Sequence, residues 1–151
     1  MKLIYVFLFL LLTACVENGD PETLFQSGKY EKAFELWKPR AESGNALSQN
    51  YLGIHYYVGL GTTRNMKAAK EWFEKAALNG YADAQYNLGV MYENGEFVEQ
   101  DYSTAYMWFF AANHNGNNKS AIRMQAMADE HKLFPNQMNR AVDQAREYLN
   151  K

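Results

Sequence analysis

The sequence of 151 residues contains a single cysteine, Cys15. Because a disulfide needs two thiols, the chain cannot form an internal one, and it has no cysteine cluster of the kind that binds structural zinc. Its three histidines, His55, His114 and His131, show no His-x-x-His or His-Glu-x-x-His spacing that would place two ligands on one helical face. We therefore expect no metal, no other cofactor and no thiol nucleophile, so stability has to come from side-chain packing.

The sequence also has no excess of positive charge. Fifteen Lys and Arg residues stand against 17 Asp and Glu residues, a formal net charge of −2. Nucleic-acid binding requires a cluster of basic side chains that displaces counterions from phosphates, and the sequence has no such cluster. The acid pairs Glu93/Glu96 and Asp129/Glu130 lack the apolar surroundings that make a catalytic carboxylate pair. We expect neither a nucleic-acid partner nor enzymatic activity, and we assign no catalytic residue.

Long apolar runs are absent except at the amino end. Lys2 precedes an apolar run from Leu3 to Leu12, which is shorter than the roughly 20 residues needed to span a bilayer. This layout is typical of a secretory signal peptide, which we assign to residues 1–14. The alternative is a short uncleaved anchor in which Cys15 is incidental.

The segment Leu12-Thr13-Ala14-Cys15 resembles the bacterial lipobox. The resemblance implies that Cys15 becomes the lipidated first residue of the mature protein and that residues 15–20 tether the domain to the membrane. Val16 stands where an aspartate commonly signals retention at the inner membrane. We therefore expect an outer-membrane lipoprotein that faces the periplasm.

The mature sequence is dominated by internal repetition. Residues 45–80 and 81–116 align without a gap, and twelve of the thirty-six positions are identical. The identical pairs are Ala46/Ala82, Gln49/Gln85, Leu52/Leu88, Gly53/Gly89, Tyr56/Tyr92, Gly59/Gly95, Ala69/Ala105, Trp72/Trp108, Phe73/Phe109, Ala76/Ala112, Asn79/Asn115 and Gly80/Gly116. A fixed period of about 20 to 50 residues is typical of a solenoid, in which each unit buries its apolar face against its neighbours.

Each unit is predicted to contain two helices. Small and aromatic residues recur at steps of three and four in the first half, and Gly95 ends that helix. Asp101, matched by Asn65, suits the N-cap of the second helix. Gly53 and Gly89 fall inside predicted helices, where glycine costs about 0.5–1 kcal/mol relative to alanine. We therefore expect a neighbouring helix to pass close to both glycines.

The repeat reads Ala-x-Ala-Gln-Tyr-Asn-Leu-Gly-Val-Met-Tyr-x-x-Gly, then Val-x-x-Asp, then Ala-x-x-Trp-Phe and a final Gly. This pattern resembles the Sel-one-like repeat family, relatives of the tetratricopeptide repeats. The resemblance implies an α-solenoid of helix hairpins that binds proteins. Thr62 and Asn113 depart from the family pattern, in which valine and alanine are usual, and these departures affect local packing rather than the fold.

The repeat extends to both ends of the domain, because Ala33, Ala69, Ala105 and Ala141 are each thirty-six residues apart. The predicted fold is an all-α solenoid of about four antiparallel helix hairpins that form a right-handed superhelix. Its units are expected at about residues 21–44, 45–80, 81–116 and 117–151.

The terminal units depart from the full repeat. In the first, we expect a short helix before Gly28 and a second helix that Pro39 kinks or breaks. In the last, a helical face of Ala121, Met124, Met127 and Ala128 leads to a final helix at about 136–149, which caps the stack.

The outward positions of the first helices are candidates for partner binding, because they differ between units while core positions repeat. The helical step predicts that six of them point furthest into a concave groove: Tyr51, His55, Val58, Asn87, Met91 and Asn94. Tyr51 and Met91 are the expected anchors, since aromatic and thioether side chains suit such contacts. The alternative is that these residues fill ordinary space between repeats.

Two classes of function compete. The favoured class is a membrane-anchored module that binds another protein, and small envelope lipoproteins of this repeat type also resemble immunity proteins that neutralise a secreted toxic effector such as a lipase. The other class is a cell-wall or β-lactam hydrolase. Relatives for which that activity has been claimed hold their hairpins with paired cysteines, which this chain lacks.

Overall fold

The computed structural model describes residues 19–150, which form eight α-helices and no strand. In chain order the helices are α1 (Pro21–Gln26), α2 (Tyr30–Glu42), α3 (Ala46–Val58), α4 (Met66–Leu78), α5 (Ala82–Asn94), α6 (Tyr102–His114), α7 (Asn118–Asp129) and α8 (Pro135–Leu149). The predicted signal peptide, residues 1–14, and Cys15 lie outside the described residues.

Consecutive helices pack against each other from α1 to α7, and α8 folds back onto α6. The helices therefore form three packed hairpins, α1/α2, α3/α4 and α5/α6, and a last hairpin, α7/α8, whose two helices both pack on α6. This arrangement confirms the predicted all-α solenoid. The last helix closes the stack, since Tyr148 contacts Trp108 edge to face at 5.1 Å between ring centroids and donates a hydrogen bond to the Ala77 carbonyl.

Capping side chains fix the helix ends within each repeat. The side chain of Asn65 accepts a hydrogen bond from the Ala68 backbone N–H at 3.0 Å, and Asp101 accepts one from the Ser103 N–H at 2.9 Å. At the end of α5, Gly95 has a φ of 70°, the left-handed conformation that glycine adopts without a steric penalty. The predicted caps are therefore confirmed.

The predicted break at Pro39 is wrong, because α2 continues through this residue to Glu42. The last turn of α2 is held by tertiary contacts: Ala41 is buried, and its carbonyl accepts a hydrogen bond from Gln49 Nε2 at 3.2 Å. A second local prediction also fails, since Ala121 of α7 is exposed while Ser120 is buried.

A buried glutamine links each full hairpin to the preceding one. Gln85 Nε2 donates to the Ala77 carbonyl at the end of α4 at 3.2 Å, and Gln85 Oε1 accepts from Asn115 Nδ2 at 3.0 Å. One unit earlier, Gln49 makes the equivalent bond to the end of α2 and accepts one from Asn79 at 3.2 Å. These bonds explain why both glutamine and asparagine recur at a spacing of thirty-six residues.

The core of each full hairpin is a contact between a glycine and a phenylalanine. A Cβ added at Gly53 would lie 2.5 Å from Phe73 Cε1, and one added at Gly89 would lie 2.5 Å from Phe109 Cε1. Both phenylalanine rings are buried. The expected close approach of a neighbouring helix is therefore confirmed, and the atoms that make it are an aromatic ring of the same hairpin.

We predict that Gly89→Leu and Gly53→Leu each destabilise the protein by about 1–3 kcal/mol or more, because the new side chain must displace a buried ring. Thermal unfolding followed by circular dichroism measures the effect. The matched control is Lys67→Leu, which adds the same side chain at an exposed position of α4. If both glycine variants melt at the temperature of the control, the rings do not confine these positions.

Candidate functional site

The first helices of the four hairpins share one face of the stack, and two adjoining cavities open along it. The first cavity, of about 340 Å³, is lined by Ile54, Tyr57, Phe73, Tyr86, Asn87 and Val90. The second cavity, of about 330 Å³, is lined by Phe25, Asn50, Tyr51, Ile54, Tyr81, Asp83, Tyr86, Asn87, Asn117 and Lys119. Three lining residues, Ile54, Tyr86 and Asn87, belong to both cavities. The two cavities therefore form one continuous groove, which we call the inner groove.

An amide pair crosses the inner groove between repeats. Asn87 Nδ2 of α5 donates to Asn50 Oδ1 of α3 at 3.0 Å. At this position the two repeats have asparagine and tyrosine in opposite order: Asn50-Tyr51 in one unit corresponds to Tyr86-Asn87 in the next. The reversal places an aromatic ring and an amide on both sides of the groove.

Tyr51 and Asn87, two of the six predicted partner-binding residues, line the inner groove and are half-buried. Val58 and Asn94 are exposed at the carboxyl ends of α3 and α5, outside the lining of both cavities. A binding role for these four residues stays a prediction.

The expected orientation of His55 and Met91 is wrong, because both side chains are buried, with 0% and 1% of their surface exposed. Helix α3 packs against both α2 and α4, and α5 packs against both α4 and α6. His55 contacts Phe34 of α2, and Met91 joins the cluster around Phe73 of α4. These two residues therefore fill space between repeats.

The groove-lining residues that sequence reasoning did not select are Ile54, Tyr57, Tyr86 and Val90. Each of them is half-buried. Their signal in the sequence is spacing, because Ile54 and Val90 occupy the same position of consecutive repeats and Tyr57 follows Ile54 by three residues.

The Sel1 repeat family model matches residues 46–81 and 82–117. The chain contains two Sel1 repeats. Sel1 repeats are a type of protein–protein interaction module, and their fold is generally a non-catalytic scaffold. Comparison with curated proteins gave no significant match.

Two solved structures are similar to the chain over most of its length. One is a Sel1 repeat protein from Oxalobacter formigenes, with 29% identity and a TM-score of 0.69 over 85% of this chain. The other is c5321, a protective antigen of uropathogenic Escherichia coli strains with the Sel1-like repeat fold, with 30% identity and a TM-score of 0.75 over 92% of this chain. The matched regions span only 54% and 32% of those two proteins.

No three His, Cys, Asp or Glu side chains within residues 19–150 come together in a way that could hold a metal ion. None of the helices in the same range has the length and apolar character needed to cross a bilayer.

Glu93 lies in a different environment from the one expected from the sequence. It is buried, accepts hydrogen bonds from the guanidinium of Arg123, with Nε at 3.0 Å, and lies 3.8 Å from the ammonium of Lys132. Glu96 instead accepts hydrogen bonds from Tyr57 and Asn94. The two carboxylates therefore have separate partners, and Glu93 ties the second Sel1 repeat to the last hairpin.

His55 is held in an aromatic box between the first two hairpins. Its Nδ1 donates to the Leu60 carbonyl at 2.6 Å, the rings of Phe25 and Phe34 lie 5.3 and 5.5 Å from it between centroids, and its Nε2 has no hydrogen-bond partner among the described residues. Burial lowers the pKa of His55 below its ordinary value of 6.5. The folded protein therefore stabilises the neutral imidazole.

We predict that stability falls as the pH is lowered below 6.5. Because the pKa of His55 is lower in the folded state, the unfolded chain binds the proton first, and protonation favours unfolding. His55→Met introduces the residue that the second Sel1 repeat has at this position, and we expect its melting temperature to fall less between pH 7.5 and pH 5 than that of the unaltered protein.

The control for this prediction is His114→Gln, because His114 is exposed at the end of α6. This variant should keep the pH dependence of the unaltered protein. An unchanged pH dependence in His55→Met would assign the effect to other groups.

Proposed function

We propose that the inner groove of this Sel1 repeat protein binds a segment of another protein. The observation that carries the proposal is the groove itself: half-buried apolar side chains line it, and residues 19–150 leave them partly uncovered. Those side chains are Ile54, Tyr57, Tyr86 and Val90. Aromatic side chains of this kind are enriched where proteins bind each other.

The polar groups of the groove suit a polypeptide. The amides of Asn50 and Asn87 lie between the two cavities, and an amide side chain offers both a donor and an acceptor to a peptide backbone. Apolar contacts on either side of these amides would then add the buried surface area that a weak polar contact does not supply. This combination favours a protein segment over a small polar metabolite.

We propose further that the protein is an outer-membrane lipoprotein, lipidated at Cys15 and facing the periplasm. The support for this comes from the sequence, in which Leu12-Thr13-Ala14-Cys15 follows an apolar run and Val16 replaces aspartate. Since α1 begins at Pro21, a tether of six residues would reach at most about 20 Å from the lipid. The inner groove would then act close to the membrane surface.

The partner proposed here is an envelope protein or a secreted toxic effector. In the second case the protein would be an immunity protein that occupies the effector and blocks its action. The two alternatives require the same groove, and they differ in the origin of the bound protein. Identification of the captured partner therefore distinguishes them.

We predict that Cys15→Ala abolishes labelling of the protein with fatty acid in growing cells, because the acylated thiol is lost. Val16→Asp is the matched control: it should keep the label but move the protein to the inner-membrane fraction. Undiminished labelling of Cys15→Ala would remove the support for lipid anchoring.

We predict that a photoreactive phenylalanine analogue at Tyr86 crosslinks a partner in living cells, whereas the same analogue at Ile122, which is exposed on α7, does not. Val90→Asp should weaken binding of the identified partner at least tenfold in isothermal titration calorimetry, because it places a charge in the apolar cavity.

Ile122→Asp is the control for binding, and circular dichroism melts show whether each variant stays folded. Equal crosslinking from both positions, or full affinity of a folded Val90→Asp variant, would show that the partner binds elsewhere.

A further inference from the structure

The second cavity of the inner groove differs from the first in its chemistry. It lies where residues of α1, α3, α5 and α7 meet, and its walls combine the rings of Phe25, Tyr51 and Tyr81 with the carboxylate of Asp83. The described residues that line the first cavity are all uncharged. We call the second cavity the aromatic-acidic pocket.

The aromatic wall of this pocket is held in place by stacking. The ring of Tyr51 stacks on Trp37 at 4.6 Å between centroids with an interplanar angle of 5°, and Phe25 contacts it edge to face at 5.3 Å. Trp37 is itself buried, so the Tyr51 ring has a fixed position on the wall of the pocket. A ligand therefore meets a pre-formed aromatic surface rather than a mobile side chain.

The charges around the pocket are mainly negative. Glu22 accepts a hydrogen bond from the Tyr51 hydroxyl at 3.3 Å, and Asp83 accepts one from Asn117 Nδ2 at 2.7 Å. Asp20 acts on Tyr51 through its charge, and Lys119 is the basic residue of the lining. Among residues 19–150, the pocket thus has the carboxylate of Asp83 in its lining and that of Glu22 bonded to Tyr51, against the ammonium group of Lys119.

Burial and nearby carboxylates act together on the tyrosine hydroxyls. Burial, reinforced by the charge of Asp83, raises the pKa of Tyr81 to about 12. Burial and then the charge of Glu22 raise the pKa of Tyr51. Both phenols therefore stay neutral at physiological pH, and a ligand meets the charges of Asp83 and Lys119 in the lining and of Glu22 beside Tyr51.

The size of the pocket limits what can enter. A volume of about 330 Å³ is at the lower end of the range of small-ligand sites, which is roughly 300–1,000 Å³. It suits one long side chain rather than a folded element. Lysine and arginine have an apolar stem that packs on aromatic rings. Their cationic end is attracted both by the faces of such rings and by carboxylates.

We propose that the aromatic-acidic pocket binds a lysine or arginine side chain of the partner, while the adjoining first cavity takes an apolar neighbour. This inference rests on the proposed function of the inner groove. The amide pair Asn50 and Asn87 lies between the two positions and contacts the connecting backbone. The preferred segment is thus a basic residue next to apolar ones.

The test is a nuclear magnetic resonance titration of the ¹⁵N-labelled full chain, purified in a non-ionic detergent. The probes are blocked peptides Ser-Val-X-Val-Ser in which X is arginine, lysine, norleucine or glutamate. We expect the arginine and lysine peptides to shift the backbone amides of Tyr51 and Asp83 and the indole N–H of Trp37, with an affinity at least about fivefold above that of the norleucine peptide.

Charge-removing variants locate the effect. Asp83→Asn and Glu22→Gln should each weaken binding of the arginine peptide about fivefold and leave the affinity for the norleucine peptide unchanged. The matched control is Asp143→Asn, which removes an exposed carboxylate on α8 and should change neither affinity. Thermal melts of all three variants show that the fold is retained.

The outcomes separate this inference from the proposed function. Equal shifts with norleucine and arginine, tighter binding of the glutamate peptide, or no shift with any peptide at several millimolar would each overturn the assignment of a basic side chain. Crosslinking at Tyr86 decides independently whether the groove binds a protein.

Discussion

The contact between a glycine of the first helix and a phenylalanine of the second determines the geometry of each full repeat. With no Cβ at Gly53 and Gly89, the rings of Phe73 and Phe109 approach the helix backbone directly. Any larger residue would push the two helices apart by the width of a side chain. Because the same contact occurs in both repeats, both hairpins have the same internal spacing, and equal hairpins can stack in a regular solenoid.

That spacing decides which residues remain available for binding. A first helix in the middle of the stack is covered on two sides, by the second helix of its own hairpin and by that of the hairpin before it. Only a narrow strip of each first helix is left uncovered, and successive strips adjoin to form the inner groove. The hydrogen bond from buried Gln85 to the Ala77 carbonyl holds the two full hairpins relative to each other, so the strips stay in register.

The fold could be predicted from the sequence because packing repeats: the period, the caps and the glycines all follow from residues thirty-six positions apart. The site could be predicted only in part. His55 and Met91 are buried because the preceding hairpin covers them, and a helical period within one helix does not show where that neighbour lies. The ion pairs of Glu93 with the last hairpin also depend on contacts between residues far apart in the sequence. The same is true of the continuation of α2 beyond Pro39.

The position at which the two repeats differ most in chemistry is informative about function. The glutamine, glycine and phenylalanine at the contacts between helices are the same in both units, but the pair beside the groove reads Asn50-Tyr51 in one and Tyr86-Asn87 in the next. The reversal makes the two ends of the groove unlike, with an acidic, aromatic end beside α1 and an apolar end toward Val90. Unlike ends favour one direction for the segment proposed above, since reversing a segment with its basic residue at one end would place that residue in the apolar cavity.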